Sequence, residues 1–136
     1  MTDKYGATPL SAAYHNNNEN ILRLLIENLA DINKLDSETK KGILKILFKN
    51  INPKIEAIIN IQNALSAQNP AWIESSLSKY YNHCTNNAIK DISKLHEMER
   101  FILSKSKEFN NTKKSKEILY IIDSFRKNIP TISLNR

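Results

Sequence analysis

Apolar residues recur along this chain at intervals of three and four positions, the spacing of one face of an α-helix. After Pro70, for example, Ile73, Leu77, Tyr80 and Tyr81 fall on a single face. The chain has only 2 glycines among its 136 residues, which argues against a β-rich fold with many tight turns. The pattern therefore predicts an all-α protein.

Prolines and polar breaks divide the pattern into seven predicted helices, each with an apolar stripe facing a core. They run from Pro9 to the asparagines at 16–18, from about Glu19 to Leu29, from a cap at Ser37 or Thr39 to about Asn50, from Pro53 to about Ala67, from Pro70 to a polar turn at 82–87, from about Asn86 to Lys105, and from about Lys113 to Lys127. Pro130 then ends the helical region, and 130–136 is a tail.

The first helical pair has the strongest local signals. Gly6 suits a tight turn, Thr8 is a favourable N-cap, and Pro9 falls at the first helical position, where its missing N–H is not needed. Asparagines close the first helix, because Asn accepts the left-handed conformation better than most residues. The second helix carries a wide apolar stripe made of Ile21, Leu22, Leu24, Leu25 and Leu29.

Residues 3–35 resemble an ankyrin repeat, whose signature is a Thr-Pro-Leu turn, two antiparallel helices, Leu-Leu and then Ala-Asp-x-Asn. The positions that match this signature are Asp3, Gly6, Thr8, Pro9, Leu10, Ala13, Leu24, Leu25, Ala30, Asp31 and Asn33. Three positions depart from it. Ser11 replaces the usual His, which weakens or removes a turn-bridging hydrogen bond. Asn17 and Leu29 replace glycines, and a β-carbon at Leu29 disfavours a left-handed helix end.

The resemblance implies an ankyrin-type helical hairpin stacked on, and capped by, a bundle of about five further helices. A second repeat would begin at Asp36, but Thr39 and Gly42 break its signature. The whole chain, 1–136, is expected to be a single domain. Its predicted parts are the repeat at 3–35, a capping helix pair at 36–67, a helical bundle at 68–129 and the tail at 130–136.

The predicted hairpin is expected to have no preceding repeat against its N-terminal face. Part of its apolar set is therefore expected at the surface, as a patch with Tyr5 and Tyr14 at its rim. The set consists of Leu10, Ala13, Ile21, Leu22 and Leu25. This face would contact a second copy of the chain or another protein, unless the tail at 130–136 folds over it.

Candidate chemistry elsewhere is sparse, and no catalytic, cofactor-binding or metal-binding residue is predicted. His96-Glu97 lacks the second His of a zincin helix, and the adjacent His83-Cys84 pair has no partner at ligand spacing. Glu99, inside an apolar stripe, is interpreted as a stripe-edge or ion-paired residue rather than a perturbed acid. Trp72 beside Tyr80 and Tyr81 indicates core packing rather than a stacking platform.

Composition and charge set limits on function. The net charge is +6, and the single cysteine, Cys84, excludes an internal disulfide and suits a reducing compartment. No Sec signal peptide or membrane span is apparent, so the expected location is the cytoplasm: bacterial, or that of a host if another export route operates. Short ankyrin proteins of intracellular bacteria have similar Lys-, Asn- and Ile-rich compositions, and many are thought to act on host proteins.

The resemblance thus implies a non-enzymatic protein–protein interaction module. Transferred by position, its partner-binding residues would be Lys4, Tyr5, Ala7, Ser11, Tyr14, His15 and Asn18. The alternative is a nucleic-acid or membrane-surface binder, although a solvated face is the commoner role of such lysines. It would use the C-terminal lysines at positions 105, 107, 113, 114 and 116.

Overall fold

A computed structural model describes residues 8–87 and 92–127, apart from the side chains at 85–87 and 92. Within these ranges the chain has seven α-helices, a short 3₁₀ turn and no strand. The helices are α1 Pro9–His15, α2 Glu19–Glu27, α3 Ser37–Phe48, α4 Pro53–Ser66, α5 Pro70–Asn87, α6 Ile92–Ser106 and α7 Thr112–Lys127, and the 3₁₀ turn is Ile32–Lys34. The all-α prediction is confirmed.

The chain divides into two compact units, 1–62 and 63–136. In the first unit α1, α2 and α3 pack against one another in every pairing, with Leu10, Leu22, Ile26, Ile43 and Leu47 buried among the core residues. In the second unit α5, α6 and α7 pack pairwise as a three-helix bundle. The prediction that 1–136 is a single domain stays a prediction.

The start of α1 agrees with the sequence. Thr8 is its N-cap and Pro9 its first residue. Thr8 Oγ1 accepts a hydrogen bond from Ser11 N at 3.1 Å, and Ser11 Oγ accepts one from Thr8 N at 2.8 Å. This reciprocal capping box satisfies two amides that the first turn of a helix leaves without partners. Ser11, in the place usually held by His, thus has a defined role in closing the turn.

Three helices end in the left-handed conformation without a glycine. The residues concerned are Asn17, Leu29 and Gln68, with φ of 53°, 65° and 52°. After α2, Ala30 N donates to Leu25 O and Leu29 N to Ile26 O, both at 2.9 Å, which is the Schellman pattern. The β-carbon of Leu29 therefore does not divert the helix end. It remains in a conformation that costs an L-residue about 1–2 kcal/mol.

The cap of α3 differs from the prediction. Asp36, not Ser37 or Thr39, is the N-cap, and its Oδ2 accepts a hydrogen bond from Thr39 N at 3.1 Å. Hydrogen bonds from Thr39 hold the pKa of Asp36 below its ordinary value, the side-chain bond contributing most. Because Asp36 already caps the helix, Ser37 becomes its first helical residue.

A buried amide fixes the loop that follows α2. Gln62, which is 1% exposed on α4, accepts from Ile32 N at 2.7 Å through Oε1 and donates to Ala30 O at 2.9 Å through Nε2. Asn33 Nδ2 donates to the main-chain oxygen of Gln62 at 2.8 Å. One side chain on α4 therefore holds the Ala-Asp-x-Asn segment of the repeat, about 30 residues away.

Two helix boundaries in the second unit differ from the predicted ones. The turn predicted at 82–87 is wrong, because α5 continues through Asn87, and α6 begins at Ile92 instead of near Asn86. Cys84 is fully buried and extends the inward stripe of Leu77 and Tyr80 by another turn. This apolar continuation explains why the polar neighbours of Cys84 do not end the helix.

Some side chains lie on a different face from the predicted one. Leu24 is 54% exposed, although the sequence places it in the apolar stripe of α2, and Leu119 on α7 is 56% exposed. In α2 the buried pair is Leu22 and Ile26, spaced by four, and Leu25 is half-buried. Leu24 lies on the opposite side of that helix, so its place in the repeat signature does not put it in this core.

Candidate partner-binding surface

Four of the seven predicted partner-binding residues lie in the described part of the chain; Lys4, Tyr5 and Ala7 lie outside it. His15 and Asn18 are exposed, and Ser11 and Tyr14 are half-buried. Ser11 belongs to the capping box, and Asn18 Oδ1 caps α2 by accepting from Ile21 N at 3.2 Å. Of the four, His15 is the exposed residue with no capping role. Their part in binding stays a prediction.

Tyr14 packs inside its own unit, against Gly42. A β-carbon built on Gly42 would overlap the Tyr14 hydroxyl and would lie only 2.8 Å from Cε1 of the ring. Gly42 therefore makes room for the Tyr14 ring in the middle of α3, although glycine there costs about 1 kcal/mol relative to alanine. The Tyr14 ring also stands 5.4 Å from that of His15, centroid to centroid. In the sequence, Gly42 was notable only because it departs from the repeat signature, and its contact with Tyr14 was not predicted.

An open groove of about 540 Å³ lies where Tyr14 meets α3. Besides Tyr14 and Gly42, its lining consists of Lys41, Leu44, Lys45 and Phe48. Phe48 is 52% exposed, and both lysines are exposed. We call this surface the α1–α3 groove. It combines exposed apolar area with positive charge.

A second depression, of about 360 Å³, lies on the repeat itself, and Pro9, Leu10, Leu25 and Lys34 are among the residues that line it. Part of the apolar set predicted for this face lies at the surface: Ile21 is 40% exposed and Leu25 half-buried, whereas Leu10, Ala13 and Leu22 are buried. Packing of α1, α2 and α3 together hides these three. The tail proposed to cover the patch lies outside the described residues.

Glu99 is the most unusual polar group in the second unit. It is fully buried, yet its carboxylate has partners: Tyr81 donates its hydroxyl hydrogen to Oε2, and Arg126 Nε donates to Oε1 at 2.9 Å. His96 Nδ1 lies 3.5 Å from the same Oε1. The interpretation of Glu99 as an ion-paired residue is confirmed, and the pair joins α6 to α7.

The surroundings of Tyr81 raise the pKa of its phenol. Burial raises the pKa of its phenol above the ordinary 10.0, and the hydrogen bond to Glu99 and the charge of that carboxylate raise it further. The phenol therefore stays protonated and keeps donating to Glu99. Phe125 packs edge-on against the Tyr81 ring, with 4.8 Å between the centroids. The cluster therefore links α5, α6 and α7 through Tyr81, Glu99 and Arg126.

The other residues considered for a chemical role are the aromatic group near Trp72, the cysteine Cys84 and the possible metal ligands. Tyr80 and Tyr81 are buried, as core packing requires, but Trp72 is 38% exposed, so the core-packing prediction is wrong for Trp72. Cys84 is fully buried. Within residues 8–87 and 92–127, His, Cys, Asp and Glu form no group of three that could hold a metal ion.

The C-terminal lysines stand among acidic side chains. Lys107, Lys113 and Lys116 are exposed, while Lys105 and Lys114 are half-buried. A groove of about 450 Å³ in this unit is lined by both Lys113 and Lys116 and by two glutamates, Glu74 and Glu117. This groove is therefore of mixed sign, unlike the single-sign stripe typical of nucleic-acid binders.

Comparison with known proteins assigns one part of the chain. Residues 5–37 match the family model described as Ankyrin repeat. The chain thus carries one ankyrin repeat, formed by α1, α2 and the 3₁₀ turn, and residues after 37 are unassigned. A search of the curated proteins found no significant match, and neither did a search of the solved structures.

The repeat brings a general functional expectation, since ankyrin repeats are protein-interaction modules and are typically non-catalytic. In the described part of the chain, no helix combines the length and apolar character needed to cross a membrane. Sequence reasoning found the repeat but missed Gln62 and the α1–α3 groove. Two signals were present: a glutamine inside the apolar run 55–65, and lysines recurring every four residues in α3.

Proposed function

We propose that the protein is a non-enzymatic interaction module in which the ankyrin repeat contributes the contact surface for a protein partner. The ankyrin repeat at residues 5–37 is the observation that carries this proposal. The partner-binding set would be Lys4, Tyr5, Ala7, Ser11, Tyr14, His15 and Asn18, with His15 the most available of the described members. The composition, similar to that of short ankyrin proteins of intracellular bacteria, directs the search to host as well as bacterial proteins.

Site-specific photo-crosslinking tests this proposal. A photoreactive residue at His15 samples the exposed end of α1, and one at the exposed Ser104 on α6 is the matched control. Each variant would be incubated with bacterial and host lysates, irradiated and examined by mass spectrometry. We expect His15 to give a discrete partner adduct that Ser104 does not give. Equal patterns from the two positions would contradict the proposal.

A second copy of the chain is included among the proposed partners, because Ile21 and Leu24 are exposed on α2 and Leu25 is half-buried. Exposed aliphatic residues close together are typical of association surfaces. Sedimentation equilibrium would compare the wild type with Ile21→Glu. Self-association that the substitution abolishes supports this version; a monomer throughout the concentration range removes it.

The alternative function, binding of nucleic acid or anionic lipid, has the exposed Lys107, Lys113 and Lys116 in its favour. Fluorescence anisotropy with labelled duplex DNA, together with co-sedimentation with phosphatidylserine vesicles, tests it. Binding by phosphate contacts must weaken steeply as salt rises. Tight, salt-sensitive binding without any protein adduct at His15 would favour the alternative over the interaction module.

A further inference from the structure

We propose that the α1–α3 groove binds an acidic, amphipathic segment of a partner protein. This inference deepens the proposed interaction function and rests on it. Most of the groove lies beyond residue 37, outside the matched repeat. It therefore extends the contact surface from α1 to α3.

The first argument is the spacing of residues along α3. Lys41, Leu44, Lys45 and Phe48 stand at i, i+3, i+4 and i+7, so they share one face of the helix. The core face of α3 is a different one, carrying Thr39, Ile43 and Leu47. The helix thus has two organised faces: one is buried in its own unit, and the other presents apolar and basic side chains to solvent.

The second argument is charge. Lys41 and Lys45 form no ion pair within residues 8–87 and 92–127, and no carboxylate lines the groove. The groove therefore has positive charge that the described chain does not neutralise. Complementary carboxylates on a partner would steer association and fix its register.

The third argument is the shape and chemistry of the floor. Phe48 is 52% exposed, and Leu44 and Tyr14 are half-buried, so the floor offers aromatic and aliphatic contact area. The absence of a β-carbon at Gly42 leaves room for the Tyr14 ring, which lines the groove. Aromatic side chains are enriched in protein interfaces, and the lysines beside them add the charge that steers an acidic partner. An aliphatic or aromatic side chain between two carboxylates fits this arrangement.

A defined peptide tests the inference directly. The probe is a fluorescein-labelled amphipathic peptide with Leu and Phe on one face and Glu beside them. Its controls are the same peptide with Lys in place of Glu, and one with Ser in place of the apolar residues. Anisotropy titrations with the full chain should show binding of the acidic peptide and not of either control.

The decisive variants reverse two charges at a time. Lys41→Glu with Lys45→Glu should lower affinity for the acidic peptide by about tenfold or more, and should create affinity for the Lys peptide. The matched control is Lys113→Glu with Lys116→Glu, an equal charge change in the second unit, which should change affinity by less than about threefold. Phe48→Ala should also lower affinity about tenfold. Circular dichroism would confirm that each variant is folded.

Each other outcome overturns the inference. If the two double variants lose affinity equally, the attraction is only a matter of net charge. If Phe48→Ala binds as the wild type does, the floor is not used. If the acidic peptide does not bind while His15 still yields a protein adduct, the groove inference fails and the interaction module stands. If labelled DNA competes at the groove and depends on Lys41 and Lys45, the occupant is a nucleic acid and not a peptide.

Discussion

In the first unit the buried polar side chain that organises the packing is uncharged, Gln62, whereas in the second it is a carboxylate, Glu99. Gln62 satisfies main-chain groups of a loop, at Ala30 and Ile32. Glu99 satisfies side chains of other helices, at Tyr81 and Arg126. The repeat therefore relies on directional bonds that fix backbone geometry. The three-helix bundle relies on a charge whose burial is tolerable only because its partners are present.

The largest expected effect is on the charged cluster. Arg126→Met removes the guanidinium from a fully buried carboxylate and should cost about 3 kcal/mol of unfolding free energy, the low end for a broken buried pair because Arg126 is itself half exposed. The double variant Arg126→Met with Glu99→Leu should lose much less, since no unpaired charge remains. Urea denaturation measures both. A double variant as unstable as the single one would contradict this account.

Gln62→Leu is the matching test of the first unit. It leaves the buried N–H of Ile32 and the carbonyl of Ala30 without their partner, which should cost about 2 kcal/mol. The control is Asn60→Leu, at a half-buried position on the same helix, where a loss under about 0.5 kcal/mol is expected. Because no charge is involved, the loss for Gln62→Leu should not change with salt. Similar losses for both variants would show that a leucine substitution in α4 lowers the stability whether or not it removes these hydrogen bonds.

Glycine substitutions at left-handed helix ends should have a smaller effect of opposite sign in each unit, an increase in stability. Leu29→Gly should stabilise by about 1 kcal/mol, because it relieves a left-handed leucine. Gln68→Gly should gain less, because Gln68 Oε1 accepts a hydrogen bond from Asn110 N at 3.2 Å that glycine cannot replace. Melting temperatures would rank the two. An equal gain would mean that this bond contributes nothing.

The alkaline pH dependence should show the smallest effect, and it tests the second unit, because Tyr81, whose pKa is raised, lies there. The pKa of Tyr81 is raised in the folded state, so this group favours folding fully below its unfolded pKa near 10.0 and progressively less as the pH rises above that value. Tyr81→Phe should therefore lose less stability than the wild type between neutral pH and alkaline pH. Tyr120→Phe, at a residue exposed to 74%, is the control and should follow the wild type. Parallel curves for all three would contradict the assignment.

The repeat could be predicted because its signals are local. Thr8, Pro9 and Leu10 specify a helix start through their own backbone chemistry, and the structure has that start. What the sequence did not reveal depends on residues far apart. Tyr14 fits because position 42 has no β-carbon, and Gln62 is buried because it meets a loop near residue 31. Such pairings follow from packing and cannot be found from spacing within one helix.

The candidate site shows the same limit. Periodicity placed Leu24 inward, but a stripe wider than the available core leaves some of its members outside, and Leu24 is exposed. The face of α3 that forms the α1–α3 groove was visible as a row of lysines. The sequence could not show that Phe48 stands exposed beside them, because exposure is decided by what the neighbouring helices cover.

Asparagines 18 and 69 each belong to two helices at once. The N–H of Asn18 bonds to Ala13 O in α1 at 3.0 Å, and its side chain caps α2. Asn69 does the same for α4 and α5, through Ala64 O at 3.1 Å and Trp72 N at 3.2 Å. Loosening the end of one helix therefore removes the start of the next. In hydrogen-exchange measurements the amides on both sides of each asparagine should open as a single cooperative group.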